Sequence, residues 1–402
     1  MTQPRRAELE LGLGPSSDAA VLGSDRTSIP LGGVVLGGMA GVQNRFKSAI
    51  VPHRIAALRE ALRYGDRGLD LLLAALDDDV VNVRLAARLL LANRLENPQQ
   101  VLAKYSDYRH FQCLYTLAGH AKSVASLAMT ADSHTLASCG DGKTIKLWDS
   151  IDGAGINILS GHTNSVRSLF LTPDGTKLVS GGRDRTIRIW DIATGKEVLA
   201  LSGHSGFVNS VTVTPDGKTI VSGSQDTTIK TWDLETGEDL RTLKGHTNLV
   251  DAVALSPDGK LVVSCSWDTT IRVWDRLTGT QIWEFIGHSA RVLSFAISPD
   301  GRMLVSGSLD TRIKVWDLAA GREMRTLEGH WGWVKSLAIS ADSKTLISAS
   351  YKVMKIWDLE SGEEIQTLSG HCDLINTIVL SQDGQTLISG GEDNQIKIWG
   401  VA

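Results

Sequence analysis

The feature that most constrains this chain is a repeat. Gly-His occurs at 119–120, 161–162, 203–204, 245–246, 287–288, 329–330 and 370–371, with successive copies 42 residues apart five times and 41 once. A Trp follows in step, at Trp148, Trp190, Trp232, Trp274, Trp316, Trp357 and Trp399, and Asp succeeds each except the last, where Gly400 stands. Self-similarity at such a period means one supersecondary unit copied and stacked, each copy too small to bury its own apolar face alone.

Each unit reads as four short strands. In the third, VNSVTVT (208–214) alternates and is rich in β-branched residues, and Pro215-Asp216-Gly217 is turn chemistry. TIVSGS (219–224), TIKTWDL (228–234) and DLRTLKG (239–245) follow, separated by Gln225-Asp226-Thr227 and Glu235-Thr236-Gly237. No unit carries a helical period, and four strands with Gly, Pro and Asp at fixed offsets make a propeller blade. Residue 402 comes just after a third strand, so the seventh unit lacks its own fourth. FQCLYTLAG (111–119) is a fourth strand without a blade. Pairing the two closes the ring and removes two open sheet edges. The expected fold is all-β: a seven-bladed β-propeller over 111–402, closed by this N-terminal strand.

Gly-His near each start, Trp-Asp near each end and a period near 42 resemble the WD-repeat (WD40-type) family, over roughly three-quarters of the chain. The close agreement among repeats is similar to that of bacterial, cyanobacterial-type members. The resemblance implies a rigid disc that docks proteins or peptides and usually performs no chemistry. Four residues recur in register: His162, Ser180, Asp184, Trp190; His204, Ser222, Asp226, Trp232; His246, Ser264, Asp268, Trp274; His288, Ser306, Asp310, Trp316; and His371, Ser389, Asp393, Trp399. It implies that each set is one hydrogen-bonded chain inside a blade. Donor and acceptor chemistry agrees, since Asp accepts, His does both, Ser relays and the indole only donates. Ser, His and Asp also suggest a catalytic triad, but a nucleophile repeated in every blade is not a site. One His per blade, with no close second ligand, argues against metal. Two units depart: the first has Gly142 where others have Asp, and the sixth (SASYKVMKIWD, 348–358) is one residue short with Tyr351 near the Asp position. Drift under relaxed constraint and a loop reshaped for a partner both account for this.

In the resembled family, residues three and five after the His and one before the turn Asp point out around the channel mouth. Those offsets give Ser165, Arg167 and Arg183; Phe207, Asn209 and Gln225; Leu249, Asp251 and Trp267; Arg291, Leu293 and Leu309; Trp333 and Lys335; and Leu374, Asn376 and Glu392. Phe207, Leu249, Trp267, Leu309 and Trp333 are thereby predicted to face solvent as a cluster, with Trp331 adjoining, beside Arg167, Arg183, Arg291 and Lys335. Exposed aromatics near arginines are what binding hot spots are made of. The alternative is that they pack into loops or fill the channel mouth. The cations favour an acidic or phosphorylated partner, a leaning that Asp251, Asp141 and Glu392 dilute. Trp283, in a fourth strand, reads as blade packing.

Residues 1–49 are Gly- and Ser-rich without sustained period and read as a disordered tail. LGGVVLGGMAGV (31–42) is too short to span a bilayer, and the N-terminus lacks the apolar core of a signal peptide. Residues 50–104 form a small α-helical segment. Ile55, Leu58 and Leu62, then Leu69, Leu72, Leu73 and Leu76, then Val83, Ala86, Ala87 and Leu90 keep helical spacing, broken at Gly65-Asp66 and Asp77-Asp78-Asp79. Asp66 to Arg94 resembles one HEAT-type repeat, which alone must pack on the propeller or on something else. A net charge of −4 gives no basic excess for nucleic acid. Four scattered cysteines without a C-x-x-C pair fit a reducing compartment, and hence the cytoplasm. The expectation is a monomeric, non-catalytic protein-interaction scaffold without metal, cofactor or membrane. The alternative is a structural subunit that holds the helical segment in a larger, signalling-type assembly; an enzyme comes last.

Overall fold

A computed structural model describes residues 38–92 and 108–401. Most of the tail expected over 1–49, and the end of the helical segment expected over 50–104, lie outside them. Seven antiparallel sheets of four strands each make a seven-bladed β-propeller. The third blade is representative, with strands Val208–Val213, Thr219–Ser224, Ile229–Asp233 and Asp239–Leu243 from the inside outward. Its second strand is buried throughout, while its outermost is exposed over most of its length. Position in the disc, not alternation alone, therefore sets burial. Apolar cores lie between neighbouring blades: Val179, Ile187 and Ile189 of the second pack on Val208, Val211 and Trp232 of the third.

The seventh blade is Ile375–Leu380, Leu387–Gly391 and Gln395–Val401, completed by Phe111–Ala118, which pairs antiparallel with the last of these. One sheet thus joins the two ends of the repeat array, and the ring has no raw radial edge.

Each innermost strand carries a one-residue bulge. In the third blade Val208 opposes Ser224 and Ser210 opposes Gly223, which leaves Asn209 outside the ladder. Ala125, Arg167, Asp251, Leu293, Lys335 and Asn376 hold the same place in the other blades. A bulge re-aims its side chain and frees backbone groups. Neighbouring blades are also tied through the open side of the innermost strands: Val211 N–H donates to Ser168 Oγ at 3.0 Å, and Val253 N–H to Ser210 Oγ at 3.1 Å.

Among the described residues, four α-helices come before the ring: α1 (Met39–Phe46), α2 (Val51–Ala61), α3 (Gly65–Ala74) and α4 (Val81–Ala92). Helix α1 falls within the stretch 1–49 expected to be disordered and is ordered there instead. The Gly-rich run before it hides an i, i+4 pair, Val42 and Phe46, that packs beside Ala57, Ala61 and Leu71. The stripes expected on the other helices meet in one core, with Ile55, Leu58, Leu72, Leu76, Val83 and Leu90 buried, although Leu73 faces solvent. That core is continuous with Leu117, Leu136, Trp148 and Ile151 of the ring and with Ile388, Ile396 and Ile398 of the seventh blade. The helices are therefore seated where the first and seventh blades meet. Arg88, almost fully buried, donates to the Val401 carbonyl at 2.8 Å, and Arg59 pairs with Asp149 at 2.8 Å.

Candidate binding face

Antiparallel strands place alternate connections on opposite faces of the disc. The Gly-His loops and the turns between second and third strands share one face. The Pro-Asp-Gly turns and the turns after Trp-Asp share the other. Asp149 and Val401 end third strands, so the helices sit on the second face and leave the first uncovered.

On the first face each regular blade is pinned by one chain of hydrogen bonds. In the third blade Asp226 Oδ2 accepts from His204 Nδ1 at 2.9 Å and from the Ser205 N–H at 2.9 Å. His204 Nε2 meets Ser222 Oγ at 2.8 Å, and the Trp232 indole donates to that oxygen at 2.8 Å. The same contacts join His162, Ser180, Asp184 and Trp190; His246, Ser264, Asp268 and Trp274; His288, Ser306, Asp310 and Trp316; and His371, Ser389, Asp393 and Trp399. Burial works to raise the Asp226 carboxyl, but the hydrogen bonds from His204 and Thr228 outweigh it and hold it far below the usual carboxylate range. Against the same burial, His288 and the Arg312 N–H bring Asp310 down to about 2. Ser222 and its counterparts have no exposed surface, so their hydroxyls relay hydrogen bonds and cannot reach a substrate.

The first and sixth blades keep only half of this chain. His120 Nε2 lies 2.7 Å from Ser138 Oγ and His330 Nε2 2.6 Å from Ser348 Oγ, but among the described residues neither Nδ1 finds a carboxylate. Asp141, beside Gly142, accepts instead from the Ser123 hydroxyl at 3.1 Å. In the sixth blade His330 Nδ1 and Ser350 Oγ are buried with no partner among the described residues. Burial, helped by the charges of Lys146 and Lys355 respectively, pushes both imidazoles down to about 4.

The residues chosen by offset divide into three groups. Ser165, Leu293 and Leu374 are buried, against the expectation that they point outward. Packing inside the loops consumes Ser165 and Leu374, and Leu293 is the buried bulge residue of its innermost strand. Arg167, Asn209, Asp251, Lys335 and Asn376 are half-buried bulge residues of the innermost strands. Two of these clasp blades together, Asn209 Nδ2 donating to the Val250 carbonyl at 2.9 Å and Asn376 Nδ2 to that of Val124 at 3.0 Å. Burial raises the Asp251 carboxyl, while the charges of Lys335 and Arg167, the Trp267 side chain and Arg291 pull it back. Burial also lowers Lys335, partly offset by Asp251. Residues of the second, fourth and sixth blades thus act on one another around the axis.

The third group lies on the outer face. Phe207, Leu249, Trp267 and Leu309 are only half-exposed, so the solvent-facing cluster expected there is graded. Arginines cover part of it: the Arg291 guanidinium lies 3.8 Å from the Trp267 ring centre, and Arg183 lies 5.9 Å from that of Phe207. Trp333 is 49% exposed, Trp331 96% and Tyr351 54%. With Asp373 and Glu392 they line a cleft of about 580 Å³ between the sixth and seventh blades. Offsets alone pass over Trp331, Tyr351 and Asp373; the missing residue and missing Asp of the sixth unit mark the turn that carries Tyr351, but they do not point to Asp373. Trp283, expected to be blade packing, is 38% exposed on its outermost strand and only partly packed, one side of its ring lying where a Cβ on Gly321 (φ +66°) would come within 2.6 Å. Among the described residues no group of three or more His, Cys, Asp or Glu is placed to hold a metal ion.

The family described as "WD domain, G-beta repeat" matches this chain seven times, over residues 111–149, 153–191, 195–233, 237–275, 279–317, 321–358 and 362–400. Among curated proteins, the vegetative incompatibility protein HET-E-1 of Podospora anserina is 51% identical over 43 residues, about one repeat. That match covers 11% of this chain and 3% of the length of HET-E-1.

Proposed function

The chain belongs to the WD domain, G-beta repeat family, and on that premise we propose that it is a non-catalytic scaffold holding a protein or peptide segment on the face that carries the Gly-His loops. One observation carries this reading. The large aromatic side chains left exposed among the loops, Trp331, Trp333 and Tyr351, all lie on the face that the helices leave free. Exposed Trp and Tyr clustered around a concave site are the usual anchors of an interface. The serines of the His–Ser–Asp sets are sealed inside the blades, which removes the one nucleophile the repeat offers. All four cysteines are unbridged, which suits a reducing compartment such as the cytoplasm. Among the described residues no helix is long and apolar enough to cross a membrane.

The test is a quantitative pull-down from native lysate with wild type and a Phe207→Ala, Trp267→Ala, Trp333→Ala triple variant whose fold is checked by circular dichroism. A partner kept by wild type and lost by the variant is the expected result. Equal recovery on both baits overturns the assignment of this face.

The shared core of the helices and the ring favours a second reading, a structural subunit that presents the helical segment to a larger assembly. Deleting residues 1–104 separates the two. Loss of partners with the ring still folded supports the second reading, and unchanged recovery rejects it.

A further inference from the structure

We propose that the cleft between the sixth and seventh blades takes a basic side chain, lysine or arginine, from the partner segment. This inference deepens the scaffold reading and rests on it.

The cleft exists because the sixth unit is one residue short at the turn where other blades carry their Asp. In the third blade that turn runs from Ser224 to Ile229, with Asp226 reaching back to His204. In the sixth it runs from Ser350 to Met354 through Tyr351, whose φ is +36°. The carboxylate that would fill the blade top is gone, and Ser350 Oγ lines the space without a partner. What surrounds the space is aromatic on one side and acidic on the other. Trp331, Trp333 and Tyr351 supply π faces, while Asp373 and Glu392 supply carboxylates from the seventh blade. A cation over an aromatic ring, with a carboxylate in reach, is attracted by both the ring quadrupole and the charge. Neither carboxylate makes a side-chain ion pair with a basic residue of the described chain. The site already shows the preference in miniature, for the Lys352 ammonium lies 5.2 Å from the Tyr351 ring centre. Trp331 and Trp333 have no such occupant among the described residues, and their faces remain for a cation from outside. An acidic segment, the partner to which the arginines elsewhere on this face are suited, would meet two carboxylates here and be repelled.

The experiment uses the full chain labelled with fluorotryptophan and read by fluorine NMR, the Trp331 and Trp333 signals being assigned from Trp331→Phe and Trp333→Phe. The probes are acetyl-Gly-Lys-Gly-amide, its arginine form, and the isosteric glutamine and leucine forms. The basic tripeptides are expected to shift both signals saturably, and about tenfold more tightly than the glutamine form. Asp373→Asn with Glu392→Gln should remove most of that preference, and Lys352→Gln should tighten basic binding by relieving repulsion. Leucine binding as tightly as lysine, tightening of the leucine form alone by Lys352→Gln, or signals that no probe moves overturns the proposal. The two readings fail separately. If the lysine tripeptide leaves the signals unmoved while the triple variant still loses its partner, the scaffold reading stands without this site. If the tripeptide binds and the triple variant keeps every partner, the cleft is a basic-side-chain site but the face is not the scaffold's interface.

Discussion

A buried imidazole is satisfied only when both of its nitrogens are bonded, and that separates the seven histidines of the Gly-His loops. His204 has Asp226 and Ser222, whereas His330 has Ser348 alone. Removing the carboxylate from a complete set should be costly, because it strands a buried donor and a backbone N–H at once. Asp226→Ala is expected to lower stability by about 1–3 kcal/mol in urea unfolding. Gly142→Asp, which restores the missing acceptor position in the first blade, should not lower it by a comparable amount. The pH dependence follows from the same chemistry. His120 and His330 sit near 4 when folded, below their ordinary 6.5. The unfolded chain therefore binds the extra proton first, so stability is full above about pH 6.5, falls on acidification, and has lost this contribution by about pH 4. The depressed aspartates add a second loss below their ordinary value near 3.8, Asp310 titrating at about 2 in the folded chain. Scanning calorimetry from pH 7 down to 3 should show a falling midpoint that begins before any carboxylate titrates. A midpoint flat down to pH 4 would exclude the histidine contribution.

At the scale of elements, the strands were legible because each has one turn chemistry at each end, as in Pro215-Asp216-Gly217 with Gly217 at φ +70°. The helices were legible from their spacing, except α1, which is short and packs through little more than Val42 and Phe46. Which face of a helix is buried was less legible. Leu72 and Leu73 are equally apolar, and only the packing of α3 against the neighbouring helices decides that Leu72 goes inward. The junction of α2 and α3 is tight at Gly68, where a Cβ would meet the Ala61 carbonyl oxygen at 1.8 Å. Gly68→Ala should therefore cost about 1–3 kcal/mol by overpacking. Its effect should fall on the helical segment, seen as faster amide exchange over 51–74 with exchange in the blades unchanged.

At the scale of the molecule, repeat and blade are not the same unit. Each family match, such as 195–233, contains the outermost strand of one blade and the inner three of the next. Every repeat therefore straddles two blades, and the chain of straddles closes only if Phe111–Ala118 completes the last sheet. Deleting residues 1–118 should open that sheet, and light scattering should show association through its bare edge. Deleting 1–107 keeps the ring closed but uncovers the apolar patch around Leu117 and Ile151, so it should weaken stability without opening the edge.

The sequence alone determined the number of blades, the strand that closes them, and which His, Ser, Asp and Trp stand in register. These follow from local period and turn chemistry, which each repeat states again. Only the tertiary structure decided which loop residues face outward. Offsets counted along a strand do not show the bulge that puts Asn209 and Lys335 around the axis, nor the arginines that lie over Trp267 and Phe207. Nor does a one-residue deletion in the sixth unit disclose, by itself, that the seventh blade supplies the acidic wall of the cleft. Exposure and charge at a site are set by neighbours distant in the chain, and a ring brings those neighbours together only once it has closed.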